Sequence, residues 1–66
     1  MNLELLKDEI DKSGITISHI AGTLNISRTQ LYKKLNGEVE FKVSEANTLF
    51  ETLRLSRDKK EKIFLS

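Results

Sequence analysis

Apolar residues recur along the chain mostly at intervals of three and four, the spacing that puts side chains on one face of a helix. In NLELLKDEIDKSG, Leu3, Leu6 and Ile10 share a face, with Asp and Lys between them. Ser13-Gly14 closes this first helix, because glycine takes the left-handed conformation of a helix stop without steric cost. In ITISHIAGTLN, Thr16 stands where a side-chain cap is needed, and Ile20, Ala21 and Leu24 form the apolar stripe of a second helix. Gly22 lies inside that helix at a cost of ~1 kcal/mol against alanine, so it either permits a close helix–helix approach or is merely tolerated. Asn25 enters the left-handed region more easily than most residues and ends the second helix in a tight turn. Ile26 then points inward and Ser27 caps a third helix, whose Leu31 and Leu35 lie within about 40° of each other. Gly37 ends it, and a loop runs from Glu38 to Phe41.

A fourth helix follows over roughly 43–53, with Val43, Ala46, Leu49, Phe50 and Leu53 facing inward and either Lys42 or Ser44 at its start. Ser56 opens a last helix, with Asp58 in the first turn, where a negative charge suits the helix dipole. Ile63 and Phe64 are expected to return to the core and Leu65 to stand at an interface. The pattern predicts five short helices and no strand, an all-α fold. At 66 residues the chain makes a single domain, 1–66. Such a domain buries only roughly 60% of its unfolded surface.

Composition removes several function classes. There is no cysteine and a single histidine, His19, so neither a disulfide, a thiolate site nor a histidine-rich metal cluster is available. His19, beside Ser18, reads as a solvated side chain before a ligand. No apolar run approaches the ~18 residues of a membrane span, and no signal-peptide pattern is present, which makes a cytoplasmic location the expectation. No glycine-rich phosphate loop, nucleophile motif, metal spacing or acid–base carboxylate pair occurs, so no enzyme and no cofactor are expected.

Charge changes the picture more by its placement than by its total. The net charge is +1, yet between Lys12 and Gly37 the only charged residues are Lys12, Arg28, Lys33 and Lys34, a local net of +4. Clustered bases without acids attract a polyanion even in a near-neutral chain, although a solvated helix face gives the same count. In the third helix Arg28, Tyr32, Asn36, Thr29 and Lys33 fan across an arc of about 140°, separate from Leu31 and Leu35. Gln30 and Lys34 lie on its flank and read as solvent or backbone contacts.

Two short helices joined by a tight turn, the second rich in donors and lacking acids, describe a helix-turn-helix over residues 16–37. Ala21 is small enough for the third helix to cross close over the second. Asn25 tolerates the positive φ of the turn, and Ile26, Leu31 and Leu35 anchor the exposed helix from beneath.

The run TISHIAGTLNISRTQLYKKLNG resembles the helix-turn-helix of the Cro/CI-type, lambda-repressor-like DNA-binding domains, in which five short helices pack around this motif. The resemblance covers nearly the whole chain. FKVSEANTLFETLRLS and the terminal Ile-Phe are similar to small phage and prophage regulators. It implies base reading by Arg28, Thr29, Tyr32 and Lys33, and phosphate contacts by Ser18, Ser27, Asn36 and Lys42. It departs from the family at Asn25, where glycine is frequent, at Lys34 and Leu35, where an apolar residue and an acid are frequent, and at Ile17, where a phosphate-binding glutamine is frequent. The expected function is a transcriptional regulator, a Cro/CI-like repressor, that reads a double-stranded operator with its third helix and acts as a homodimer on DNA. Two alternatives stand beside it: a protein-interaction module using the same face, or an architectural or excision factor that bends DNA. Tyr32 is open between a DNA contact and a half-buried packing role, and Glu38 and Glu40 between orienting nearby bases and lowering affinity.

Overall fold

The computed structural model describes residues 1–65. These form five helices and no strand: α1 (Leu3–Ser13), α2 (Ile17–Leu24), α3 (Arg28–Leu35), α4 (Val43–Thr52) and α5 (Arg57–Phe64). Four of the five starts are capped by a side-chain oxygen that accepts from the backbone N–H three residues on. The caps are Asn2, Thr16, Ser27 and Ser56. At Ser27 the capping is reciprocal, because the Gln30 side chain accepts in turn from the Ser27 N–H. The fourth helix begins at Lys42, not Ser44, and there only the reverse half exists: the Glu45 carboxylate accepts from the Lys42 N–H at 2.9 Å.

Three helices stop in one way. A residue with positive φ follows α2, α3 and α4, namely Asn25 (φ 58°), Gly37 (φ 82°) and Arg54 (φ 53°). In each case its N–H and the next one turn back to helix carbonyls. Asn25 and Ile26 donate to Gly22 and Ala21, Gly37 and Glu38 to Lys34 and Lys33, and Arg54 and Leu55 to Glu51 and Phe50. This return bond draws partly buried Ile26 and buried Leu55 against the core, so each stop also sets the direction of the next helix.

The core is one cluster to which all five helices contribute: Leu6 and Ile10, Ile20, Ala21 and Leu24, Leu31 and Leu35, Ala46, Leu49 and Phe50, and Ile63, joined by Leu53 and Leu55. Helix α2 packs on α3 and α4, and α1 on α3 and α5. The ends of the bundle meet where the Asn2 N–H donates to the Ile63 carbonyl at 2.6 Å, and Glu9 of α1 pairs with Lys59 of α5 at 3.2 Å.

Two expectations need correction, and one left open is decided. Val43 sits on the inward register of α4 but is 64% exposed, on a surface hollow that it lines with Phe64 and Leu65. Phe64 is 45% exposed; its ring meets Phe50 edge-on, with centroids 6.4 Å apart, and covers the core margin without entering it. Gly22 mediates no close approach, since nothing lies within 4 Å of the position a side-chain carbon would take, so it is only tolerated.

Candidate nucleic-acid interface

The turn at Asn25 brings the capped start of α3 out beside α2, and Leu31 and Leu35 hold α3 down on the core. With 100° per residue, burying Leu31, Lys34 and Leu35 turns outward the side between Thr29 and Lys33, with Asn36 and Tyr32 beside them and Arg28 at the edge of the exposed arc. The base-reading set from sequence is thus brought together: Arg28, Thr29, Tyr32 and Lys33 are all exposed on that arc. Their side chains hydrogen-bond to no other described residue, and neither Arg28 nor Lys33 has an ion-pair partner among the described residues.

Three of the four phosphate candidates border the arc, and Asn36 lies on it. Ser18 is exposed in the first turn of α2, Ser27 starts α3, Asn36 ends it, and Lys42 precedes α4. Lys33 and Lys42 border one hollow with Ile26, Gln30 and Glu45. Tyr32 and Asn36 border another, beside Ile17 and the α1 residues Lys7, Ile10 and Asp11. The arc therefore runs from a flank against α1 and α2 to a flank against the 38–42 loop. Tyr32, 52% exposed, lies on the first flank with an apolar wall behind its ring and its hydroxyl unpaired. His19 is exposed, and Ile17 is partly buried against the core.

Helix electrostatics separate this region from the rest. Neither α2 nor α3 has an acid in its first turn, whereas α1, α4 and α5 carry Glu4, Glu45 and Asp58 there. Thr16 and Ser27 satisfy the third N–H of their helices, leaving the amides of Ile17, Ser18, Arg28 and Thr29 without an intrahelical acceptor. The positive dipole ends of both helices stay uncompensated, a setting that favours anions.

The basic excess counted along the chain is smaller in space. Lys12 pairs with Asp8 at 2.9 Å, a hydrogen bond and charge that raise its pKa. Lys34, expected on the flank of α3 as a solvent or backbone contact, is only 7% exposed and makes a backbone contact. Its Nζ donates to Glu45 Oε1 at 2.8 Å and to the Glu40 carbonyl at 3.2 Å, and stands 5.9 Å from the centre of the Phe41 ring. Burial pushes the Glu45 carboxyl up, but the hydrogen bonds from Lys34 and the Lys42 N–H, together with both lysine charges, outweigh it. The result is a carboxyl below the ordinary glutamate value. Arg28 and Lys33 are left as the open cations of α3. Sequence reasoning missed Lys34 and Glu45; the signal available was a lysine at a position where the family resemblance expects an apolar side chain.

Among the described residues no group of His, Cys, Asp or Glu is placed to hold a metal ion, and no helix is long and apolar enough to cross a membrane. Residues 11–38 match the family model of the helix-turn-helix domain of resolvase. Searches of curated proteins and of solved structures each returned no match. The matched segment spans the end of α1, all of α2 and α3, and the turn between them. Fold and family match agree: the chain carries a helix-turn-helix DNA-binding domain.

Proposed function

We propose that the protein is a sequence-specific transcriptional regulator of Cro/CI type that inserts α3 into the major groove of an operator. The observation that carries the proposal is the exposed arc of Arg28, Thr29, Tyr32 and Lys33, free of acids and of internal partners, between two helix starts with unused amides. Arg28 grips guanine O6 and N7 in a bidentate way, worth ~1–3 kcal/mol of discrimination. Thr29 offers its methyl to thymine or its hydroxyl to a base edge. Lys33 and Tyr32 reach bases on either flank. Ser18, Ser27, Asn36 and Lys42, with the first-turn amides, take the phosphates and set the register. The Ser27 oxygen already accepts from Gln30 N–H, so its O–H is the group left to donate.

One such module contacts few base pairs, and two copies on half-sites roughly 34 Å apart gain specificity. Val43, Phe64 and Leu65 line one apolar hollow at the α4–α5 edge, with Val43 64% and Leu65 77% exposed, and supply a surface for a second copy. Lys60 and Glu61 at its rim are of opposite sign, which a two-fold axis places against each other. The whole chain then acts as one non-enzymatic domain that occupies a promoter.

The test is selection from a randomised duplex pool with the wild type and Arg28→Ala side by side. A recovered inverted repeat that the variant loosens at one base step is the expected result; no enrichment over random DNA sinks the operator reading. The resolvase match favours a second reading, in which the module serves recombination or excision and bends or holds DNA with little sequence preference. A low ratio of selected-site to random-DNA affinity, with a steep salt dependence, identifies that case.

A further inference from the structure

The Lys34–Glu45 pair is a strange choice if stability is its only purpose. Replacing a buried ion pair by apolar side chains of similar volume is often neutral or stabilising, because desolvation offsets most of the attraction. The position lies on the core side of α3 between Leu31 and Leu35, where an apolar residue would complete the stripe. What the pair does, and an apolar contact cannot, is join separate pieces of backbone at one point.

Three segments meet there. Lys34 belongs to α3, and its Nζ donates to the carbonyl of Glu40 in the loop and to the carboxylate of Glu45 in α4. The same Glu45 Oε1 accepts the N–H of Lys42. One residue earlier, the Lys33 carbonyl accepts from the Glu38 N–H at 2.9 Å and from the Val39 N–H at 3.4 Å. The loop is thereby closed on α3 at both of its ends, and Lys33 and Lys42, the two exposed bases among the three that border the same hollow, are carried on backbone that the ring of bonds holds.

We propose that the Lys34–Glu45 pair is a positioning device for DNA reading: it fixes the C-terminal half of α3 against α4 and thereby sets the spacing between Lys33 and Lys42. The inference rests on α3 being the DNA-reading helix. Apolar packing of α3 and α4 on α2 tolerates small shifts of one against the other, whereas an ammonium shared between a carboxylate and a carbonyl has one seat. Lysine–phosphate contacts tolerate small displacements, because the stems are flexible and the attraction is long-ranged. Base-edge contacts do not, since they need placement within roughly 0.5 Å. Loss of the pair therefore degrades sequence discrimination while leaving the phosphate count unchanged. Lys34 and Glu45 are positioning residues and touch no base themselves.

The experiment uses the double variant Lys34→Met/Glu45→Leu, which removes both charges and leaves neither buried alone. Cooperative thermal unfolding shows whether it is folded. Amide NMR of the free protein and the affinity ratio of selected site to random DNA are then compared with wild type. The expected result is line broadening at Lys33, Glu38, Val39 and Lys42, an affinity ratio lower by about tenfold, the size of one lost base contact, and an unchanged salt slope. Unchanged line shapes and an unchanged ratio in a folded variant overturn the proposal. So does a lower salt slope matched by equal loss on both DNAs, which marks a lost phosphate contact. If the double variant does not fold, Lys34→Met/Glu45→Gln, which leaves no charge at either position and keeps only the acceptance from the Lys42 N–H, is read the same way. A wild type without site preference defeats the operator reading instead, and the amide spectra alone then decide whether the pair holds α3.

Discussion

The helix-turn-helix, α2 and α3, and the frame around it, α1, α4 and α5, share one core but treat polar groups in opposite ways. In the frame every helix has an acid in its first turn, and most bases find partners: Lys7 with Glu4, Lys12 with Asp8, Lys59 with Glu9, Arg57 with Glu61. In the helix-turn-helix neither start has an acid, and neither Arg28 nor Lys33 pairs with a described carboxylate. Lys34 is the exception, and it is paired from the frame, by Glu45. The difference teaches where this small protein keeps interactions for itself and where it leaves them unmade. Unmade donors on a rigid helix are what a polyanionic partner needs.

The comparison is broken most severely at its one bridge. Lys34→Ala takes the nearest charge from the partly buried Glu45 carboxylate and leaves it the Lys42 N–H, so a loss of about 1.5–3 kcal/mol, the scale of a charge-assisted hydrogen bond, is expected in denaturant unfolding. A loss no larger than that of exposed surface pairs, below about 1 kcal/mol, shows that Glu45 reaches water and that the bridge is no bridge. Next in size is Arg28→Ala. It should cost about 1–3 kcal/mol of discrimination at one base pair in competition binding, yet leave unfolding within about 0.5 kcal/mol of wild type. A large stability change would put Arg28 among the groups the fold uses for itself.

Smaller effects sharpen the comparison inside the motif. Ser27→Ala removes the side-chain half of the α3 cap and should destabilise by about 1 kcal/mol, read as a lower melting temperature. Gly22→Ala should do the reverse, raising stability by up to about 1 kcal/mol, since a helical position with open space around it gains from the added side-chain carbon. A fall in melting temperature would reveal a neighbour at Gly22 that the fold does not show. The least effect comes from acid. Because the Glu45 carboxyl is depressed in the folded state, its contribution is complete above the ordinary glutamate value of 4.5 and is lost as pH falls through the lower folded value. Stability of the wild type against pH should therefore fall more steeply there than that of Glu45→Gln, and parallel curves would exclude the linkage.

What was legible in the sequence was what is local. Thr16, Ser27 and Ser56 cap, and Asn25 stops, through bonds to backbone within about four residues, and their residue types announce that chemistry. The stripes of α1, α2 and α3 were legible because period and burial coincide over whole turns. Val43 and Phe64 were not, because the periodicity of a helix says which face turns inward but not where the neighbour ends. Lys34 and Glu45 are 11 residues apart on different helices, so their meeting depends on how α4 crosses the bundle, which no local pattern contains. Of the site, the exposed arc followed from its complement, the buried Leu31 and Leu35. Its reduced charge did not, because that required knowing which lysine is consumed inside.

The clasp of the Asn2 N–H on the Ile63 carbonyl has a practical side. Anything joined ahead of Met1 or beyond Leu65 leaves the domain from one corner, near Gly37, Phe41 and Phe64, at the far end of α3 from Arg28. A fluorophore placed at either end therefore reports from the same vantage on α3, and labels at both ends form a short-range distance gauge whose signal is lost when α1 and α5 part.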